Sequence, residues 1–277
     1  MRVIPGWIAH GGAVVWTIVS IIPFVVMILL SFRNNVDIYA HPLGVGGHYH
    51  LENYSSAWSG PPGGAGMAVY TRNTAITAFA GLLIVLTAGT FAGYFVTKVP
   101  IRMRRACIVF LIACSVMPLA LVLVPMFQIY DHLSLLSNPT ALGVSYGALA
   151  LPTAILILQA HFIDFPNELA EAAALDGLGE FRTFLKIALP LSTGPCIAIG
   201  MLSLIFIWGE AQLGIVLLQA AASQTISVGL LGYQGQWTTD LGPQYAGLTI
   251  GTVPLIVAYL LLNRYVTKGI ALGGVTK

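Results

Sequence analysis

Long uncharged apolar runs alternate with short polar breaks along this chain, and the lengths of the runs decide its class. The runs occupy residues 11–31, 73–97, 106–130, 142–160, 196–218 and 244–263, and the one charged side chain inside them is Glu210. A helix rising about 1.5 Å per residue needs about 20 mostly apolar residues to cross about 30 Å of hydrocarbon. There every backbone N–H and C=O must find its partner within the segment, so runs of this length predict helices and not barrel strands of about ten residues. The pattern predicts an all-α integral membrane protein, a single domain over residues 1–277 with six transmembrane helices. The first run follows Arg2, but it is longer than the 7 to 15 apolar residues of a typical signal peptide and has no A-x-A site before Ser31, so it predicts an uncleaved span.

Composition agrees with that pattern: 57% of the 277 residues are hydrophobic and 8% are charged, against about 25% charged in soluble domains. Basic residues then set the orientation, because Lys and Arg stay on the cytoplasmic side. With six spans, one side holds Arg2, Lys98, Arg102, Arg104, Arg105, Arg182, Lys186, Arg264, Lys268 and Lys277, and the other holds Arg33 and Arg72. Both termini are therefore expected inside. The net charge of +2 suits anionic lipid headgroups and gives no case for nucleic acid.

The connecting segments differ in character. Residues 33–72 carry seven glycines between Gly44 and Gly66 together with Pro61 and Pro62, a composition that favours turns over packed helix. Residues 219–240 mix Gly229, Gly232 and Gly235 with Tyr233 and Trp237, and both outer segments are candidates for contact with an external partner. The segment 161–194 is charged and ordered by its sequence. Pro166 suits a first helical turn, and Glu168 and Glu171 complement the positive end of the helix dipole. Leu169, Ala172 and Ala173 share one face, and Gly177 ends the helix because glycine adopts a left-handed C-terminal turn most cheaply. Phe181, Phe184, Leu185 and Ala188 then form one stripe opposite Glu180, Arg182 and Lys186, up to Pro190. A polar helix-turn-helix of this kind is shaped either to dock into another protein's groove or to lie on lipid headgroups.

These residues resemble a known family. Glu171-Ala172-Ala173, then Gly177, then Ile187-x-Leu189-Pro190 has the spacing of the EAA loop of bacterial ABC-importer permeases. Asn73-Thr74, Met117-Pro118, Pro125-Met126-Phe127, Leu151-Pro152 and Pro166-x-Glu168-Leu169 extend the likeness to the carbohydrate-uptake branch, and to its maltose-type second subunit. The glycine-rich end from Gly269 to Val275 is similar to that subunit's tail, with Ala271, Gly274 and Thr276 departing from the usual pattern.

The resemblance implies a type I importer permease fold with a cytoplasmic coupling hairpin, in the cytoplasmic membrane of a prokaryote. It implies a homologous permease as heterodimer partner, two ATPase subunits beneath and an extracytoplasmic solute-binding protein. It implies ATPase coupling through Glu168, Glu171, Ala172, Ala173, Asp176, Gly177, Phe181, Arg182 and Phe184, and tail contacts with the ATPase through Lys268, Gly269 and Gly273. No cofactor is implied. No G-x-x-x-x-G-K-[ST] phosphate loop occurs in the chain, so ATP is expected to be handled by another polypeptide, and the chain is not expected to be an enzyme. A permease of the same kind for a polyamine, phosphate or amino acid remains the alternative cargo, and an intramembrane hydrolase or a channel the alternative class.

Within the spans, prolines 23, 118, 125, 152 and 254 predict local kinks. An acid at a bilayer centre costs about 2.5 to 3.5 kcal/mol by insertion scales and usually faces a polar cavity. With Trp208 and Gln212, Glu210 therefore forms a candidate translocation-path cluster, the other readings being a structural or gating hydrogen bond and an outer headgroup position. Where the family commonly has Trp-Asn-Glu or Trp-Asn-Asp, this chain has Trp208-Gly209-Glu210.

Four other signals are weak. Gly143-Val144-Ser145-Tyr146-Gly147 fits the serine-hydrolase elbow pattern, but it opens an apolar helix, where small residues at that spacing allow close packing. His41, His48 and His50 lack a fourth ligand at a telling spacing, and Asn53-Tyr54-Ser55 is a glycosylation sequon only in a host that glycosylates. Cys107, Cys114 and Cys196 have no metal-type spacing and are expected to be buried.

Overall fold

The computed structural model describes residues 6–40, 48–235 and 239–272. The described residues are almost entirely helical, their one β-feature being an isolated bridge between Gln234 and Thr239. They divide into two units, Met1–Ala68 with Gly229–Val253, and Val69–Val228 with Pro254–Lys277.

The first unit holds α1 (Gly6–Leu30), α2 (Asn35–Ala40), α3 (Glu52–Ser59), a short turn at Leu230–Tyr233 and the first half of a long C-terminal helix. Polar side chains lock its irregular parts. Asn53 is 7% exposed and donates both amide protons, to the carbonyls of Ser31 and Arg33 at 2.9 Å each. The sequon asparagine is thus a structural bracket, its nitrogen committed within the chain. Asn35 joins the opposite strand of chain in the same way, through Thr239 O at 2.6 Å and Leu241 N at 2.8 Å. Among its described residues the glycine-rich region is more helical than its composition suggests, because α3 buries Asn53 and Ala57, and Gly60, Gly63 and Gly66 turn the chain with positive φ. His50 pairs with Glu52 at 2.5 Å; His41 lies outside the described residues, and no group of three metal-ligating side chains occurs among them.

In the second unit, α4 (Met67–Lys98, beginning in the first) is followed by α5 (Ile101–Val116), α6 (Leu119–His132) and α7 (Pro139–Ile163). Next come α8 (Asn167–Leu175), α9 (Glu180–Leu191), α10 (Thr193–Gly209), α11 (Gln212–Leu217), α12 (Ile226–Gly229) and α13 (Leu241–Leu272). Helices α4 and α7 touch backbone to backbone, which glycine alone permits. A Cβ at Gly147 would lie 2.8 Å from Gly81 O, and one at Gly143 would collide with Thr77 O. The hydrolase-like G-x-S-x-G is therefore a packing motif, and Ser145 Oγ bonds Tyr130 OH at 2.6 Å. Two core clusters flank this seam, one around Tyr130, Leu142, Tyr146 and Leu213, the other around Tyr94, Leu158, Phe162 and Phe184.

Among the described residues four helices are long and apolar enough to cross a membrane, namely His10–Leu30, Met67–Lys98, Pro139–Ile163 and Leu241–Asn263; each of two bent pairs can count as one more. The run 106–130 is one of those pairs. Proline forces the residue before it out of the helical region, so Met117 is extended, with ψ 122°; Pro118 is extended as well, with ψ 130°, and α5 and α6 meet at 89°. Pro23, Pro125, Pro152 and Pro254 are contained within helices. The run 196–218 is also interrupted, since α10 ends at Gly209 and Glu210 is extended. Cys107 and Cys196 are half-buried, whereas Cys114 is exposed, contrary to its expected burial, because α5 has no buried residue. The last helix continues to Leu272, nine residues beyond the expected end of its span at 263.

Candidate functional site: a polar helix hairpin and the Glu210 elbow

The segment between α7 and α10 folds as two short helices about a glycine. Pro166 stands at the N-cap position of α8 with Glu168 in its first turn. At the other end Leu178 N–H bonds Ala173 O (2.9 Å), Gly177 N–H bonds Ala174 O (3.0 Å) and Gly177 has φ 75°. This paired 6→1 and 5→2 closure satisfies carbonyls that the helix end would leave open. Glu168, Glu171, Ala172, Asp176, Gly177 and Arg182 are exposed, as is Phe181 at 55%. Ala173 and Phe184 are different: at 3% and 4% exposed, they are covered by their own chain.

Phe184 is the root of the hairpin. Its ring lies 5.2 Å from Tyr94, 5.9 Å from Phe91 and 5.9 Å from Phe95 on α4, and Tyr94 in turn packs edge-on against Phe162 of α7 at 5.4 Å. Aromatic pairs at these distances contribute about 0.5–1.5 kcal/mol each beyond area burial, so α9 is fixed to two long helices. A polar clip adds to the grip: Tyr94 OH donates to Glu180 Oε2 at 3.1 Å, and Lys98 Nζ lies 3.7 Å from the same oxygen and 5.1 Å from the Tyr94 ring centre. Before Pro190, whose missing N–H breaks the helical ladder, α9 widens into a π turn at Phe184–Ala188. Ser192 Oγ donates to Ala188 O at 2.7 Å and so accepts from His161 Nε2 at 3.1 Å, which ties the end of α7 to the 76° elbow between α9 and α10.

Glu210 lies at the second elbow. Its Oε1 accepts from Gln212 N–H at 2.6 Å, and its Oε2 accepts from Leu213 N–H at 3.3 Å and from Tyr146 OH. Carboxylates favour this position because they satisfy the free N–H groups at a helix start, here those of α11. Ser227 Oγ donates to Glu210 O at 2.8 Å, Asn73 Nδ2 donates to Ala222 O and Gln224 O at 2.9 and 3.0 Å, and Thr74 Oγ1 accepts from Ile226 N–H at 2.9 Å. Trp208 is half-buried against the cluster that contains Tyr146 and Leu213, whereas the Gln212 side chain is exposed. Glu210 is thus a half-buried cap at a helix break and not an acid within a continuous span.

Several contributors were hidden from the sequence by distance along the chain, notably Tyr146, Tyr94 and the Lys98–Glu180 pair. Asn73-Thr74 stood out in the sequence, and its work is to pin the segment 222–226. Lys268 and Gly269 lie on the last turns of α13, and Gly273 lies outside the described residues.

Residues 85–272 match the family described as binding-protein-dependent transport system inner membrane component. A probable ABC transporter permease protein of Bacillus subtilis, YurM, is 30% identical over 91% of this chain and 83% of its own length. The trehalose/maltose transport system permease protein MalG of Thermococcus litoralis is 28% identical, over 95% and 94%. A crystal structure of a bacterial ABC transporter involved in alginate import contains a chain that superposes with a TM-score of 0.73 at 17% identity, covering 94% of this chain and 95% of that one; it supports the fold. A helical membrane architecture with a polar hairpin and no nucleotide loop, matched over more than half its length, places this chain in the family of inner membrane components of binding-protein-dependent transport systems, as an ABC transporter permease whose ATPase is a separate subunit.

Proposed function

We propose that this permease imports a carbohydrate, a di- or oligosaccharide or a related sugar, as one of two homologous membrane subunits above a pair of ATPases. It crosses the membrane six times, each bent helix pair counting as one crossing, with both termini cytoplasmic as the ten-to-two division of basic residues indicates. The sugar cargo is supported by the trehalose/maltose transport for which the Thermococcus relative is named. The observation that carries the mechanism is the hairpin: an exposed tip at Glu171, Ala172, Asp176 and Gly177 above a base buried at Phe184. Such a part moves as one piece with α4 and α7, so closure of the ATPases rocks the spans. Lys268, Gly269 and Gly273 extend the ATPase contact at the C-terminal tail. Stimulation of ATP hydrolysis by the sugar-loaded binding protein, on co-expression with the cognate ATPase, tests the reading; hydrolysis indifferent to this chain would end it. Calorimetry of the binding protein against a panel names the cargo, and a response to a polyamine, phosphate or amino acid alone would replace the sugar.

Trp208, Glu210 and Gln212 line the outer part of the path in this proposal. Glu210→Ala is expected to lower uptake in vesicles while the complex still assembles, because it strands the Leu213 N–H and the Tyr146 hydroxyl, at about 1–3 kcal/mol for an unsatisfied buried group. Glu210→Gln, which keeps an oxygen for the cap, recovers part of the rate. Undiminished uptake by the alanine variant removes Glu210 from the path.

A further inference from the structure

We infer that the junction of α4, α5 and α7 is a binding pocket for a phosphate ester, the group an anionic lipid headgroup presents, with Lys98 and Arg104 as its cationic ligands. The inference rests on the orientation proposed above, which puts this junction at the cytoplasmic face.

A cavity of about 180 Å³ lies there, lined by Lys98, Arg104, Thr97 and the walls Phe162 and Phe165, with two cations and no carboxylate among its lining residues. Its place along the chain is what a headgroup requires. Lys98 is the last residue of α4, Arg104 lies in the first turn of α5, and Ile163, also lining, is the last residue of α7. All three helices end or begin at this level, so the two cations and the Thr97 and Tyr94 side chains meet the Phe162 and Phe165 rings at one junction.

Arg104 is half-buried, and among the described residues its guanidinium has no ion pair or hydrogen bond. A planar fork of five donors suits phosphate oxygens better than any other side chain does. Lys98 is held loosely, 3.7 Å from Glu180 and over the Tyr94 ring, and an ammonium has three donors to share. Thr97 cannot compete for the role of donor, because its hydroxyl proton goes to Tyr94 O at 2.7 Å; recognition falls on the two charges. Asp164 sits between two lining residues and is exposed, so Glu180 is the acid that an incoming phosphate displaces from Lys98. Glu180 opens α9, and occupancy of the pocket is thereby felt at the root of the hairpin.

The test titrates the full-length chain in a neutral detergent with phosphatidylglycerol, with phosphatidylcholine and with inorganic phosphate, bound ligand being counted by native mass spectrometry. Phosphatidylglycerol is expected to bind in preference to phosphatidylcholine. Lys98→Gln and Arg104→Gln should each weaken it about fivefold, the equivalent of about 1 kcal/mol per cation near an anionic surface. Arg102→Gln, which removes a charge outside the lining, should leave binding unchanged, and Arg104→Lys, which keeps the charge and loses the planar fork, should bind between Arg104→Gln and the unaltered chain, which guards against a folding defect. Inorganic phosphate bound with the same variant pattern, and no lipid preference, assigns the pocket to a soluble phosphate compound. Equal retention of both lipids with no phosphate binding, or an equal loss in Arg102→Gln, overturns the pocket. Because binding is read without transport, a lost lipid preference beside intact sugar-stimulated hydrolysis sinks the pocket alone, and the converse sinks the transport reading alone.

Discussion

In proteoliposomes the Gly177→Leu importer is expected to hydrolyse ATP and to move almost no solute. The residue has φ 75°, where an L side chain costs about 1–2 kcal/mol, enough to shift a two-state turn by a factor of about 5 to 30. When the turn opens, Leu178 and Gly177 lose their bonds to Ala173 and Ala174, and the direction of α8 relative to the rooted α9 is no longer defined. The motor then closes on a tip that does not transmit. Counting ATP consumed per solute delivered measures the effect, and a ratio equal to that of the unaltered protein would remove the hairpin from the coupling path.

A larger loss, of the folded chain itself, is expected from Gly143→Leu. Its Cβ would meet the Thr77 carbonyl and come within 2.8 Å of Ala80 Cβ, and neither belongs to a flexible side chain that can swing aside. Helices α4 and α7 must separate, which opens the packing on both sides of the seam; overpacking typically costs about 1–3 kcal/mol, and backbone contact places this site at the upper end. The yield of monodisperse protein after mild detergent extraction should fall severely. Gly209→Ala is the matched control, because a Cβ there has nothing within 4 Å, and normal yield of both variants would contradict the close packing described.

What could be foreseen from the sequence follows the range of the forces involved. The apolar runs report burial in lipid residue by residue, so the four uninterrupted helices are legible from length alone. The turn at Gly177 is equally local, since Pro166, the alanines and the glycine lie within twelve residues. The 89° bend is half-legible: Met117-Pro118 marks a break, but the angle depends on what α5 and α6 pack against. Glu210 attracted notice as a lone charge, while its real setting required Tyr146, 64 residues earlier in the chain. Phe184 shows the same limit. Its stripe on α9 marked a contact face, and the partners that cover it belong to α4 and not to another subunit.

One consequence of the Gly177 turn concerns chirality and not size. Nothing lies within 4 Å of the place where an L side chain would begin, so what such a residue meets there is backbone strain and not a clash. A mirror-image D-alanine, introduced by chemical ligation, is at ease at positive φ and is expected to escape the strain that L-alanine meets. The turn would then be stiffer than with glycine, because the freedom glycine enjoys in the unfolded chain is removed. A single stereocentre would thus tune how firmly the hairpin holds its angle.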